Sequence, residues 1–276
     1  MNAPGPRMVT SLDLPELRLY RTLRRQEEHR DSGLFVAEGE KVVRRLLESG
    51  LTVTSLLLTP EWYDEFVRTG LPLPADIFLA PRSLLETITG FRLHQGVMGT
   101  GEIPRERSLD ELMKAAVSPP LVVALDRVEH VDNVGVIVRN CAAFGVEGLI
   151  VGPTSCSPWL RRAVRNSMGT VFRVPTMHVS DLSASLLYLR DMFHLPLIVT
   201  SPDASMAVSA IDFSGGACIV VGSEGLGVSR EIASLATHRV SIPMSTGVDS
   251  LNVAVATAVV LYEARRGVSG WPSAHR

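Results

Sequence analysis

Three short stretches of the 276-residue chain set amide, carboxylate and guanidinium side chains beside glycine. "GSEGLG", Gly222 to Gly227, follows the apolar run "ACIVV" and holds Glu224. "DNVGVIVRNCAAFG" carries Asn133, Gly135 and Arg139, and "IPMSTGVDSLNVAVATA" carries Ser250 and Asn252. A glycine loop closing a buried strand often cradles phosphate on its N–H groups. This one has neither the G-x-G-x-x-G spacing of a dinucleotide fold nor the Lys-Ser/Thr of a P-loop, which disfavours a dinucleotide oxidoreductase. A carboxylate beside a pyrophosphate is also repelled in a poorly screened cleft. A phosphate-free nucleoside such as S-adenosylmethionine, whose sulfonium is cationic, suits the loop better. The alternative is a tight turn in which Glu224 caps the next helix.

Asn133 is expected in the turn that enters a helix, where it can act as a cap. A separation of six does not put it on one helical face with Arg139. An arginine among Val136, Ile137, Val138 and Ala142 is costly if buried and needs partners, or else it reaches solvent. Asp249 or Ser250 is expected to cap the last helix. Asn252 puts an amide into a first turn that has no structural need of one, unless it satisfies a neighbouring loop.

The elements that must position these residues follow from hydrophobic pattern. After Pro120, "LVVALD", "GLIVG", "PLIVTS", "ACIVVG" and "RVSIPM" alternate with helical stretches, which describes a parallel sheet covered on both faces. Ligands of such sheets sit beyond the carboxyl ends of the strands, where the three stretches lie. The last helix, "LNVAVATAVVLYEARR", is apolar nearly all round and is expected to be buried. Before it all, "LFVAEGEKVVRRLLESG", "TVTSLLLT", "EWYDEFVRTG" and "DIFLA" alternate strand and helix in a smaller α/β unit. The glycine-rich "GFRLHQGVMGTGEIPRER" and the "SPP" at Ser118 to Pro120 mark a boundary, so residues 1–105 are read as one domain, 106–119 as a linker and 120–276 as a second domain.

Hydrophobic residues make up 46% and charged ones 20%, which is the composition of a chain that folds. A net charge of −2 excludes a strongly basic coat but not a local patch. Cys141, Cys156 and Cys218 are few and scattered, so no disulfide framework, no zinc site and no other metal is expected. No run has the length of a membrane span, and a cytoplasmic protein without membrane contact is the expectation.

Together the three stretches, with "RNSMGTVFRVP" between them, resemble the SpoU (also called TrmH) family of the SPOUT methyltransferases over about residues 120 to 266. Asn133, Gly135 and Arg139 match its Asn-x-Gly-x-x-x-Arg motif, Gly222 to Gly225 its Gly-Ser-Glu-Gly loop, and Ser250 to Ala254 its Ser-Leu-Asn-Val-Ala. His130 and Val131 depart from the Asp-Pro often seen ahead of the first motif, and Asn140 from the small or hydroxylated residue common after the arginine. The resemblance implies a trefoil-knotted parallel-sheet domain, a topology that general connection rules disfavour. It further implies a homodimer, S-adenosylmethionine as cofactor held by Gly222, Ile242, Leu251 and more weakly Thr200, and methylation of a ribose 2′-hydroxyl in structured RNA. Arg139, Asn133, Glu224, Ser250 and Asn252 carry over as the reactive set: Arg139 polarises the hydroxyl or binds phosphate, Asn133, Ser250 and Asn252 fix the ribose and backbone, and Glu224 orients the loops. The amino-terminal segment resembles the ribosomal-protein-like RNA-binding domain of many members, with Glu38 and Gly39 in a recurrent pattern, and this favours ribosomal RNA. A transfer-RNA ribose methyltransferase, or a non-catalytic RNA-binding or ribosome-assembly factor, is the alternative. The arginines at 18, 21, 24, 25 and 30 are either an RNA patch or a helix face with internal ion pairs.

Overall fold

A computed structural model describes residues 5–89, 96–116 and 119–266, so Ser118 lies outside the described residues. The chain divides into two compact units: Met1–Arg105 with Trp159–Arg173, and Glu106–Pro158 with Val174–Arg276.

The first unit holds strands β1 (Arg7–Met8), β2 (Leu34–Glu38), β3 (Val53–Leu58), β4 (Ile77–Leu79) and β5 (Val97–Glu102), in the order β1-β4-β3-β5-β2. β3, β4 and β1 run parallel, while β5 is antiparallel to both β3 and β2. β5 is the strand that the glycine-rich reading of "GVMGTGE" hides. Its glycines serve close approach: a Cβ on Gly101 would lie 2.8 Å from the Phe35 ring, and one on Gly99 3.0 Å from Leu56. Tyr20 is fully buried and its hydroxyl donates to the Ser55 carbonyl at 3.1 Å; burial pushes its pKa up to about 12. The segment Trp159–Arg173, expected in the carboxyl-terminal domain, supplies this unit with a helix, Arg161–Asn166, that packs on β2. Trp159 and Phe172 pack their rings, tilted, against Phe35 at 5.0 and 5.4 Å.

The second unit is a seven-stranded sheet of β6 (Leu121–Asp126), β7 (Gly148–Val151), β8 (Thr176–His178), β9 (Leu197–Thr200), β10 (Met206–Ala207), β11 (Ala217–Gly222) and β12 (His238–Ser241). The order is β10-β12-β9-β11-β6-β7-β8, and every pairing is parallel. β6 and β11 are buried at every residue, as expected of central strands covered on both faces. The segment expected as a linker instead carries the helix Leu109–Ala115, closed at its start by a reciprocal Ser108/Glu111 capping box. Its Leu112 is 3% exposed and joins a core with Val122, Ile150, Leu186 and Val220. Because all seven strands point the same way, the loops after β6, β9, β11 and β12 leave the sheet on one edge. Among the described residues, no helix is long and apolar enough to cross a membrane.

Candidate active site

Beyond the carboxyl ends of β9, β11 and β12 lies a cavity of about 470 Å³, within the range of roughly 300–1,000 Å³ that holds cofactor-sized ligands. Thr200, Gly222, Ile242 and Leu251 all line it, as do Glu224 and Ser250. The glycine loop forms one wall and is closed on itself, Gly227 N–H donating to the Ser223 carbonyl at 2.8 Å with Gly227 at φ +63°. Only glycine fits at its base: a Cβ on Gly222 would lie 2.3 Å from the backbone of Gly227 and Val228. Gly225, in contrast, faces open space.

The three motif stretches meet through side chains. Asn133 Nδ2 donates to Glu224 Oε1, and Asn252 Nδ2 donates to Asn133 Oδ1 at 3.0 Å. Asn252 Oδ1 in turn accepts the N–H of Ala254 at 2.9 Å and of Val255 at 3.4 Å, capping the helix Val253–Arg266. Asn252, not Asp249 or Ser250, is therefore the cap, and the amide that looked superfluous has both ends occupied. Asn133 is not a cap either. The helix Val131–Ala143 begins two residues before it, behind His130, and Asn133 uses its amide to join the other two loops. Nor does Glu224 cap the following helix, Arg230–Ser234, whose N-terminus is closed by the Ser229 side chain.

Arg139 differs from the rest. It is exposed, does not line the cavity, and has no hydrogen bond or ion pair among the described residues. The cost expected of a buried arginine is thus avoided by solvent. The face it occupies includes Val136, 38% exposed, and beside it the last helix leaves Val255, Val259 and Tyr262 uncovered at 50, 36 and 58%. That helix was expected to be buried all round. Its inner face is, through Val253, Ala254, Thr257, Val260, Leu261 and Ala264, and its outer stripe is not. Asn140 ties the two helices by donating to the Ala254 carbonyl at 2.8 Å.

Residues that the sequence reading missed support the glycine loop from β6. Asp126, opposite Gly222 in the sheet register, accepts the N–H of Ser229 at 2.6 Å and so fixes the loop's exit. Arg127 takes a left-handed backbone, φ +58°, and donates to the Gly227 carbonyl at 3.2 Å. The signal in sequence was a charged pair, "DR", ending an otherwise apolar strand. Electrostatically the cavity is acidic: Asp203, Glu224 and Asp249 line it against a single guanidinium, Arg239, which donates to Ser201 at 3.2 Å. Such a wall repels phosphate and attracts a cation.

A parallel sheet whose strand-end loops line a cavity of cofactor size is the architecture of an α/β ligand-binding protein, and the acidic lining disfavours phosphate. The profile of the SpoU rRNA Methylase family matches residues 120–262. Among relatives, an uncharacterized tRNA/rRNA methyltransferase of Mycobacterium bovis is 32% identical over 273 residues, 94% of this chain and 91% of that protein. The crystal structure of an AdoMet-bound rRNA methyltransferase from Sinorhizobium meliloti superposes with a TM-score of 0.79 at 28% identity, covering 95% of this chain and 98% of that one. An RNA 2′-O ribose methyltransferase structure gives a TM-score of 0.76 at 25% identity, over 95% and 98% of the two chains. The chain belongs to the SpoU methylase family and is a methyltransferase of that family.

Proposed function

We propose that this protein transfers the methyl group of S-adenosylmethionine to a ribose 2′-hydroxyl of structured RNA, ribosomal RNA in preference to transfer RNA, and that it works as a cytoplasmic homodimer. The observation that carries the reading is the Glu224–Asn133–Asn252 chain of hydrogen bonds, which joins three segments distant in sequence beside the cavity that Glu224 lines. The cofactor, when bound, supplies a methyl group activated on a sulfonium. Gly222, Ile242 and Leu251 present the walls against which its nucleoside would lie, with Thr200 at the end of β9. Asp203, Glu224 and Asp249 favour a positively charged group over an anionic competitor.

Asn133 and Asn252 spend their amides on each other, on Glu224 and on the last helix, so their part is to position the loops. Ser250, exposed at the cavity wall, is the hydroxyl free to meet the ribose. Arg139 carries an unpaired guanidinium, which cannot readily give up a proton. Its work is to bind a phosphate or to polarise the hydroxyl by donating to its oxygen. The apolar stripe of Val136, Val255, Val259 and Tyr262 supports the homodimer, since exposed valines at helical spacing are what a second copy would cover. Arg139, three residues from Val136 on the same helix face, would then lie at that interface.

The experiment is methyl transfer to deproteinised ribosomal RNA and to bulk transfer RNA, with the modified nucleosides read by mass spectrometry. Ribose-methylated nucleosides from ribosomal RNA are expected. Arg139→Ala is expected to lower turnover by about 10²-fold or more, as for loss of a transition-state donor, with cofactor affinity nearly unchanged by calorimetry. Base methylation, or near-normal turnover of the variant, defeats the reading.

A further inference from the structure

The arginines that the sequence places near the amino terminus are largely spent on neighbours. Arg21 pairs with Asp13 at 2.7 Å, Arg30 with Asp31 at 2.6 Å, and Arg18 and Arg25 share Glu28 at 4.0 and 3.6 Å. Of that string, Arg24 alone has no partner among the described residues. A different face of the same unit has the opposite balance. On the helix Glu40–Leu47, Lys41 and Arg45 are exposed one turn apart, while Glu40 is taken by Arg44 at 2.8 Å. Arg45 reaches the segment Trp159–Arg173, donating to the Met168 carbonyl at 2.6 Å. On that segment Arg161 and Arg165 share one carboxylate, Glu38, with Arg165 at 3.3 Å and its side chain still 48% exposed. Arg173, which ends the single turn Thr170–Phe172 packed on the same helix, is exposed and unpaired. Cations therefore outnumber carboxylates here, with Glu48 as the exposed acid at the far end of the helix.

We infer that this face, made by the helix Glu40–Leu47 and the segment Trp159–Arg173 and carrying Lys41, Arg45, Arg165 and Arg173, is where the first unit grips the phosphates of folded RNA. The inference rests on the RNA reading above and assigns it a surface other than the amino-terminal arginine string. Exposed guanidiniums offer forked donors that match phosphate oxygens, and a folded RNA is held largely by such contacts. Glu38, a buried anchor, holds one end of the Arg165 guanidinium at 3.3 Å, which lowers the entropy lost when a phosphate binds the rest. Contacts of this kind release counterions, so binding must weaken steeply with salt.

The test uses the full chain and deproteinised ribosomal RNA as probe, with affinity measured by fluorescence anisotropy from about 50 to about 200 mM salt. The triple variant Lys41→Gln, Arg165→Gln, Arg173→Gln is expected to lower the slope of log affinity against log salt by about 2–3 and to weaken binding at least about tenfold at low salt. Because Arg165 also touches Glu38, the double variant Lys41→Gln, Arg173→Gln is run beside it and is expected to lower the slope by about 2. Arg18→Gln, Arg21→Gln, Arg25→Gln is the control and should leave the slope unchanged. Unaltered slopes in the first two variants, or an equal loss in the control, overturn the assignment while leaving the RNA reading intact. A wild-type chain that binds S-adenosylmethionine but no RNA at any salt removes both.

Discussion

Two glutamates in this molecule stand just ahead of a glycine where a strand ends, and the partner that holds each is different. Glu38, the last residue of β2, is nearly buried and held by two guanidiniums, Arg161 and Arg165. Glu224, in the loop after β11, is held by an amide, Asn133, and faces the cavity with no cation beside it among the described residues. A cation partner neutralises a carboxylate and turns it into architecture; an amide partner fixes its direction and leaves its field for a ligand. The glycines differ too. Gly39 needs its φ of +96°, whereas Gly225 has an ordinary backbone and open space beside it.

That contrast can be broken from either side. Glu38→Ala removes the acid shared by Arg161 and Arg165, whose side chains still reach solvent, and should lose about 1–2 kcal/mol of folding stability, read by denaturant unfolding. A variant of wild-type stability would mean that the pair is only surface decoration. Gly222→Ala has no backbone to yield to its methyl group and should weaken cofactor binding about a hundredfold in calorimetry, while Gly225→Ala should change it little. Equal losses in the two would show that the loop acts as a composition and not as a shape. Glu224→Gln keeps the acceptor for Asn133 and removes the charge, so folding should hold while cofactor affinity drops about tenfold. An unchanged affinity would mean that the cavity's field is immaterial.

The smallest effect expected is at Glu106. Burial raises its pKa, but the side-chain and backbone hydrogen bonds from His178 outweigh burial and hold it below the ordinary 4.5. A carboxyl with a depressed folded pKa adds stability above its unfolded value, and that stability drains away as pH falls through the folded value. Glu106→Gln should therefore flatten the acid side of a stability-against-pH curve and leave the alkaline side as it was. A parallel shift of the whole curve would assign Glu106 a packing role instead.

Much of the second unit was legible because parallel strands covered on both faces read as unbroken apolar runs: β6, β7, β9, β11 and β12 all stand where the pattern placed them. β8 and β10 are three and two residues long, too short for any periodicity to register. β5 was hidden by glycines whose purpose is contact with Phe35 and Leu56, a fact of tertiary packing. The convergence of Glu224, Asn133 and Asn252 could be anticipated from parallel strand ends and motif order. Their division of labour could not, because the bonds that join one motif to another span more than ninety residues and leave no local trace. The same holds for Trp159–Arg173, whose helical spacing says nothing of which unit it packs with.

That excursion also sets a timetable. β2 cannot complete its aromatic cluster until Phe172 has been synthesised, well after the last strand of its own sheet at Glu102. A nascent chain emerging from the ribosome therefore carries a first unit in which Phe35 has met β5 but lacks its two aromatic partners while the following strands are already being made. The first unit is thus complete only after β6 and β7 of the second have been made, so the order of the units along the chain is not the order in which they can be finished.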